Sequence, residues 1–594
     1  MPLLAMDVFA FAAHLIERGG LYHRVIIEKT GRTVGPPWTN GNNLIIREEE
    51  IKIWSVLGRA WGGLSDESAY TPAPDPESMS AAYQKISETH WQPLMNCASE
   101  FKWKKFQTWG KHAFALLVIS DEASRDLGYQ LDKEKASRPL EEIMEEAWFA
   151  ARRTTRVDDD FEWHERATTA LTNFAAVASP YIVRVMPKSR TPAVGNTMRT
   201  LSHNLALVPP ISGVDLNWHR DLRAWQENRD PLNLLLVPFP YRISALCFEP
   251  HVGHARNDDQ KDHWSCMFDL NQRWLIQSGE RTNEASSEDR TASQNLIVQF
   301  ILALIARSKR DVEKIHGLLL PELALDWPTY NLLVRTLITE ANGNESLSTQ
   351  KILDFIVCGS STDWGEDKGN FVLVTTFYKN DAGKLAATTH SQSKHHRWRL
   401  TGSQISDYGL SAALDPHAVW WEGIEIRRRE VGLTMFRSGS VFSAMICEDL
   451  ARSEPCHEPL KSVGPNLVFA LLLDGPQLPY RWSARYATSL ADDPGSSVLT
   501  LTSLGLIERI NSAGTYKECR NIALWKDDTG RTVEISCPKD SEAILLTLGG
   551  DAATEQTVDG RPSSDATSWR YQGHQPVRLS IADQQKYDWI FWGR

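Results

Sequence analysis

None of the chain's eight cysteines (Cys97, Cys247, Cys266, Cys358, Cys447, Cys456, Cys519 and Cys537) forms a Cys-x-x-Cys pair. Several lie inside apolar runs, which argues against a zinc framework or a disulfide scaffold. A basic excess is also missing. The formal net charge is −11, and neither the first 230 residues nor the remainder is net basic. That removes a domain-wide footprint for nucleic acid and leaves only local patches. Long apolar runs are absent too: the strongest, NLIVQFILALIA at 295–306, has 12 residues and is too short to span a bilayer. The opening MPLLAMDVFAFAAHLIERGG has no basic leader region and reads as an amphipathic helix closed by Gly19–Gly20, so a cytoplasmic location is expected. There is no internal repeat and no Tyr-x-Asp-Asp polymerase signature.

What is present suits a globular protein of several domains: 594 residues, 42% hydrophobic and 23% charged. Residues 1–180 read as mostly helical, with periodic apolar positions in MSAAYQKISETHWQPLM and LEEIMEEAWFAARRT and Pro/Gly clusters between them. A Pro-rich irregular stretch, 181–227, reads as a connector. From 228 the texture changes to apolar strand-like runs alternating with helical segments. LNLLLVPF, HGLLLPELALD, KILDFIVCGSS, GSVFSAMIC, PNLVFALLLDG and SSVLTLTSLG are candidate strands. NFVLVTTFYKNDAGKLAATTHSQ and NIALWKDDTGRTVEIS are candidate hairpins, and TASQNLIVQFILALIARSKRDVEKI is a helix. Strands alternating with helices predict an α/β domain over 228–594 that includes a C-terminal extension.

Three polar residues fall where such a sheet holds its ligands, at or near the ends of strands. Glu322 follows GLLLP, Lys394 follows the second strand of a hairpin, and Cys447 follows FSAMI. Singly, each has a plainer reading: a helix-start carboxylate, a surface lysine and a packing cysteine. Together they supply a base, a cation and a nucleophile. An enzyme of this kind would need Cys447 to be accessible and acidified by Lys394.

The segments LLLPELALD, NFVLVTTFYKNDAGKLAATTHSQSKHHRWRL and SAMICEDLARSEP resemble, in that order, the motifs of the nitrilase or carbon–nitrogen hydrolase superfamily. The spacings are 72 residues from Glu322 to Lys394 and 53 from Lys394 to Cys447. The similarity extends over about residues 228–555. It implies an α-β-β-α sandwich with Glu322 as general base, Lys394 as stabiliser of the tetrahedral intermediate and Cys447 as nucleophile. The backbone N–H of Glu448 would complete the oxyanion site, and Asp449 would hold the loop. No metal or organic cofactor is implied. The resemblance further implies a small-molecule amide or nitrile substrate and a homo-oligomer paired through helices.

One departure is evident. Family members carry a second glutamate soon after the lysine, whereas this chain reads KHHRWRLTGSQISDYGL; Asp407 or the later Glu422 are the candidates to replace it. A second reading follows from that departure: a catalytically altered nitrilase-fold binding or sensor module that engages nucleic acid or a protein partner.

Other features are given plainer explanations. Asp492–Asp493 is expected between a helix and a strand, RVDDDFEW (156–163) at a solvated helix start, and Cys456–His457 has no second half of a zinc motif. FKWKKFQTWGKH (101–112) interleaves aromatic and basic residues as nucleic-acid surfaces do, but Trp103, Phe106 and Gly110 also share one helical face. RTPAVGNTMRTLSHNLALVPP, together with the region from DGPQLPYRW to LTLTS, is similar to nitrilase-like regions attached to reverse transcriptases in bacterial phage-defence proteins. That similarity implies antiviral defence and a separate partner such as a reverse transcriptase.

Overall fold

Apolar runs bounded by Pro, Gly or polar residues have no face to offer water, so they become strands covered on both sides. Leu232–Leu236, Gly317–Leu325, Ser440–Ile446, Leu467–Leu472 and Ser497–Thr502 are each buried along their whole length. The computed structural model describes the chain except for residues 36–42, 65–74, 100–105, 130–155, 159–160, 164–172, 193, 211–213, 220–229, 252–265, 344–352, 365–367, 381–382, 427–428, 438 and 593–594. The expected helix over 140–154 and the basic residues at 101–105 lie outside the described residues.

Two mixed sheets form the core. The nine-stranded sheet runs, edge to edge, Pro562–Val577, Ala543–Gln556, Leu232–Leu236, Gly317–Leu325, Phe355–Thr362, Lys368–Lys379, Leu385–Ser393, Phe161–Trp163 and Arg156–Asp158. The seven-stranded sheet runs Thr532–Ser536, Asn521–Lys526, Ser497–Thr502, Leu467–Leu472, Ser440–Ile446, Glu430–Arg437 and Asp215–His219. At the centre of each sheet three strands are parallel, joined by crossovers that carry helices. The inner faces meet through aromatic rings: Phe355 of the first sheet lies 5.7, 5.0 and 6.1 Å (ring centroids) from Phe436, Phe442 and Phe469 of the second. Gln392 also crosses the gap, donating to Ala444 O at 3.2 Å and accepting from Gly432 N at 2.9 Å.

Helices cover the outer faces. Ser287–Ser308 and Trp327–Gly343 pack together on the nine-stranded side, and Trp482–Asp492 packs on the strands Ser497–Thr502 and Asn521–Lys526. The arrangement is the α-β-β-α sandwich expected of a nitrilase-like protein. Ser286 starts the longest of these helices by accepting from Asp289 N at 3.1 Å. That helix stops at Ser308, short of the expected end, where the charged run Lys309–Asp311 begins.

Helices Ala5–Arg18 and Glu48–Trp61 both pack against Phe106–Ala123, in the region the sequence predicts to be mostly helical. Gly58 makes one crossing possible, because a Cβ there would lie 2.4 Å from Ile119 O. Upstream segments also complete the sandwich. Arg156–Asp158 is an edge strand and Phe161–Trp163 the strand next to it, rather than a helix start, and Asp215–His219 pairs in parallel with Glu430–Arg437. The helical layer is tied to the C-terminal hairpin by buried charge. Arg561 Nη1 lies 2.8 Å from both Asp121 and Glu122, and Lys188 Nζ lies 2.7 Å from Glu555. Asp492 ends its helix and Asp493 caps it, as expected. Among the described residues no helix is long and apolar enough to cross a membrane.

Candidate active site

Glu322 owes its position to a break in its own strand. Leu320 pairs with Cys358 and Leu325 with Ser360, so Pro321–Ala324 bulge out opposite the single residue Gly359. Pro321 has no N–H to give the ladder, which makes a bulge its natural place. Leu323 is held at φ +54°, outside the region non-glycine residues favour. The bulge is compact because Gly359 has no side chain: a Cβ there would lie 2.4 Å from Glu322 Cα and Pro321 O. Neither is a flexible side-chain end. Gly359→Ala should therefore lower the melting temperature, costing about 1–3 kcal/mol, and lower kcat by displacing Glu322. Thermal denaturation and steady-state rates check this.

Lys394 follows the Leu385–Ser393 strand, and its backbone N donates to Asn370 O at 2.7 Å across the hairpin. The side chain is buried between two carboxylates, with Nζ 2.8 Å from Glu322 Oε1 and 2.7 Å from Glu422 Oε2. Glu422 closes a short strand, Trp420–Glu422, in a small four-stranded side sheet. Its Oε2 also accepts from Trp398 N at 2.9 Å. Asn370 Nδ2 spans both acids, 2.8 Å from Oε1 of Glu322 and 2.8 Å from Oε1 of Glu422. Leu473 N donates to the other Glu322 oxygen, Oε2, at 2.7 Å.

Cys447 ends the Ser440–Ile446 strand and opens a 3-10 turn, Cys447–Ala451. Its φ is +40°, a strained setting that must be imposed by its surroundings. Asp449 supplies part of that constraint. Its carboxylate accepts from His395 N at 3.1 and 3.0 Å and bonds His396 Nδ1 at 2.9 Å, pinning the Cys447 turn to the Lys394 turn. His395 Nε2 accepts from Glu430 N at 3.1 Å, and its Nδ1 lies 3.1 Å from Cys456 Sγ. A further wall stands at Asp474, which accepts from Tyr408 OH and Arg481 Nη2, each at 2.6 Å, and from Trp482 Nε1 at 2.9 Å.

The electrostatics follow from burial and neighbours. Burial raises the Glu322 carboxyl above its usual range; Lys394 opposes that shift and Glu422 adds to it. Burial works against the Lys394 ammonium, yet the two carboxylates outweigh it and hold the group well above an ordinary lysine. For Cys447, burial and then the Glu322 charge push the thiol well above its usual value, more than Lys394 can offset. The residue is only 3% exposed. The expectation of an accessible thiol acidified by Lys394 is thus reversed: the resting group is a neutral, enclosed thiol that needs a base.

The three residues singled out in the sequence lie in one cluster, with Cys447 near enough to Glu322 and Lys394 for their charges to act on it. Of the two candidates for the second acid, Glu422 is in the cluster. Asp407 ends the short helix Gly402–Asp407 and bonds none of Glu322, Lys394 or Glu422. Glu448 lies in the Cys447 turn with its side chain turned to Arg452 Nη2 at 2.7 Å. Asn370 was not anticipated, since no local pattern marks an asparagine at a strand start as a partner of distant acids.

No family model matches the chain, and no curated protein does. Among solved structures it is similar to an amidase from Nesterenkonia sp., at 11% identity over 53% of this chain and 88% of that chain, with a TM-score of 0.27. It is also similar to Saccharomyces cerevisiae Nit3, a member of branch 10 of the nitrilase superfamily, at 12% identity over 55% and 92% of the two chains, with a TM-score of 0.28.

Proposed function

We propose that this chain is a cysteine-dependent carbon–nitrogen hydrolase that attacks an amide or nitrile carbon and passes through a thioester. The observation that carries the reading is the donor count at Lys394. An ammonium has three N–H groups, and two are taken by Glu322 and Glu422. The third is left to meet an oxyanion beside Cys447, with the backbone N–H of Glu448 as the second donor.

For an amide, the Cys447 sulfur bonds to the carbonyl carbon as its proton passes to Glu322. Glu322 Oε1 already accepts from Lys394 and Asn370, so Oε2, with a single donor, receives the proton. Glu322 then returns that proton to the leaving nitrogen, the carbon–nitrogen bond breaks, and ammonia or an amine departs. Water attacks the thioester with Glu322 again as base, giving the carboxylic acid and the free thiol. The raised carboxyl pKa suits a group that must take and return a proton near neutrality. The sandwich from 228 onward is the catalytic unit in this reading, and the upstream strands complete its sheets. A setting in antiviral defence, a reverse-transcriptase partner and a homo-oligomer rest on resemblance.

The test is to incubate the protein with primary amides and nitriles, quench in acid and weigh the Cys447 peptide. An added acyl mass with matching ammonia release is expected. A Cys447 that acquires no acyl group and resists iodoacetamide at every pH would refute the reading and favour the altered binding or sensor module.

A further inference from the structure

Asn370 holds an unusual set of bonds for a neutral side chain. It is 1% exposed, and its one Nδ2 group is shared between two acids that also share one lysine. Two carboxylates fix the amide's orientation, since only the nitrogen end can donate to both. The other end bears the consequence: Asn370 Oδ1 is buried and has no hydrogen-bond partner. Buried acceptors without partners are rare and costly, and one kept beside reacting groups calls for a reason.

We infer that Asn370 is a positioning residue that joins Glu322 and Glu422 into one acid–base unit. It occupies Glu322 Oε1 and so directs proton acceptance to Oε2. Its place is fixed from both sides, because its backbone O accepts from Lys394 N at 2.7 Å. A donor to a carboxylate stabilises the charged form, so Asn370 also sets where the base begins to hold its proton.

The test uses the full chain with Asn370→Leu and Asn370→Asp, read as kcat/KM against pH and as the rate of Cys447 alkylation by iodoacetamide against pH. Asn370→Leu removes the donor, so Glu322 keeps its proton to higher pH. The acid limb should move up by about one pH unit, with kcat/KM about 100-fold lower. Asn370→Asp can donate only while protonated, so its residual activity should fall as pH rises and its optimum should move the opposite way. A merely structural role would lower rates without moving either limb, and limbs left at their wild-type positions in both variants overturn the inference. The turnover arm rests on the hydrolase reading, whereas the alkylation arm needs no substrate. A chain that hydrolyses nothing but shows the alkylation shift would sink that reading and leave Asn370's role standing.

Discussion

Alanine in place of Cys447 should abolish turnover while the sandwich stays folded. Among the described residues, Cys456 is turned to His395, its Sγ 3.1 Å from Nδ1, and bonds neither Glu322 nor Lys394, so it does not stand in. A drop in kcat of about 10⁴-fold or more is expected, because removing a nucleophile leaves only binding and oxyanion stabilisation. Stability supplies the sharper contrast. Cys447 sits at φ +40° after a fully buried strand, a conformation that costs any residue bearing a Cβ. Alanine keeps that cost, whereas glycine does not. Cys447→Gly should therefore be as inactive as Cys447→Ala yet gain about 1 kcal/mol over it, offset in part by glycine's freer unfolded chain. Melting curves of the two variants decide the point: if glycine melts no higher than alanine, the backbone at Cys447 is not strained.

The parts of this site legible in the sequence are those set by local pattern. An apolar run with a proline inside it, LLLPELALD, announces both a buried strand and the interruption that presents Glu322. The hairpin before Lys394 and the strand before Cys447 are equally plain, and those three elements bring Glu322, Lys394 and Cys447 together. Glu422 is different. It reaches Lys394 from a three-residue strand that pairs with Met267–Leu270, and its carboxylate is set by Trp398 N, 24 residues earlier in the chain. Nothing in the intervening sequence encodes that pairing as a period or a motif. The strand Asp215–His219 was hidden for a related reason: it lies in a Pro-rich stretch and is five residues long, and it becomes a strand only because the edge of Glu430–Arg437 is there to receive it. The state of the thiol was misjudged because the sequence shows a lysine but not its partners. Burial of Cys447 and then the Glu322 charge beside it raise the thiol by more than Lys394 lowers it, and neither is visible in the sequence.

That same triad makes Lys394 the residue whose loss should damage the fold most. Lys394→Met keeps the bulk but strands two buried carboxylates without their cation. Breaking a buried ion pair from one side costs about 3–5 kcal/mol, because the remaining charge stays desolvated. Activity should vanish with it, since the same Nζ is the proposed oxyanion donor. The pH dependence identifies the cause. In the wild type, the Lys394 pKa is raised, so its stabilising contribution is complete below the value of an unfolded lysine and is lost only as pH rises through the folded one. Between pH 5.5 and 7.5 it is therefore constant. In the variant, burial without the cation lifts the Glu322 carboxyl pKa further above its unfolded value, so the folded state binds more protons across that window. Stability then falls as pH rises, and acidification should recover much of the loss. A second substitution argues the same case at fixed pH. Adding Glu322→Gln removes one of the stranded charges, so the double variant should melt higher than Lys394→Met alone, a coupling of about 1–3 kcal/mol. Additive losses, or a Lys394→Met deficit that is the same at pH 5.5 and 7.5, would show that the lysine's packing rather than its charge holds the two acids in place.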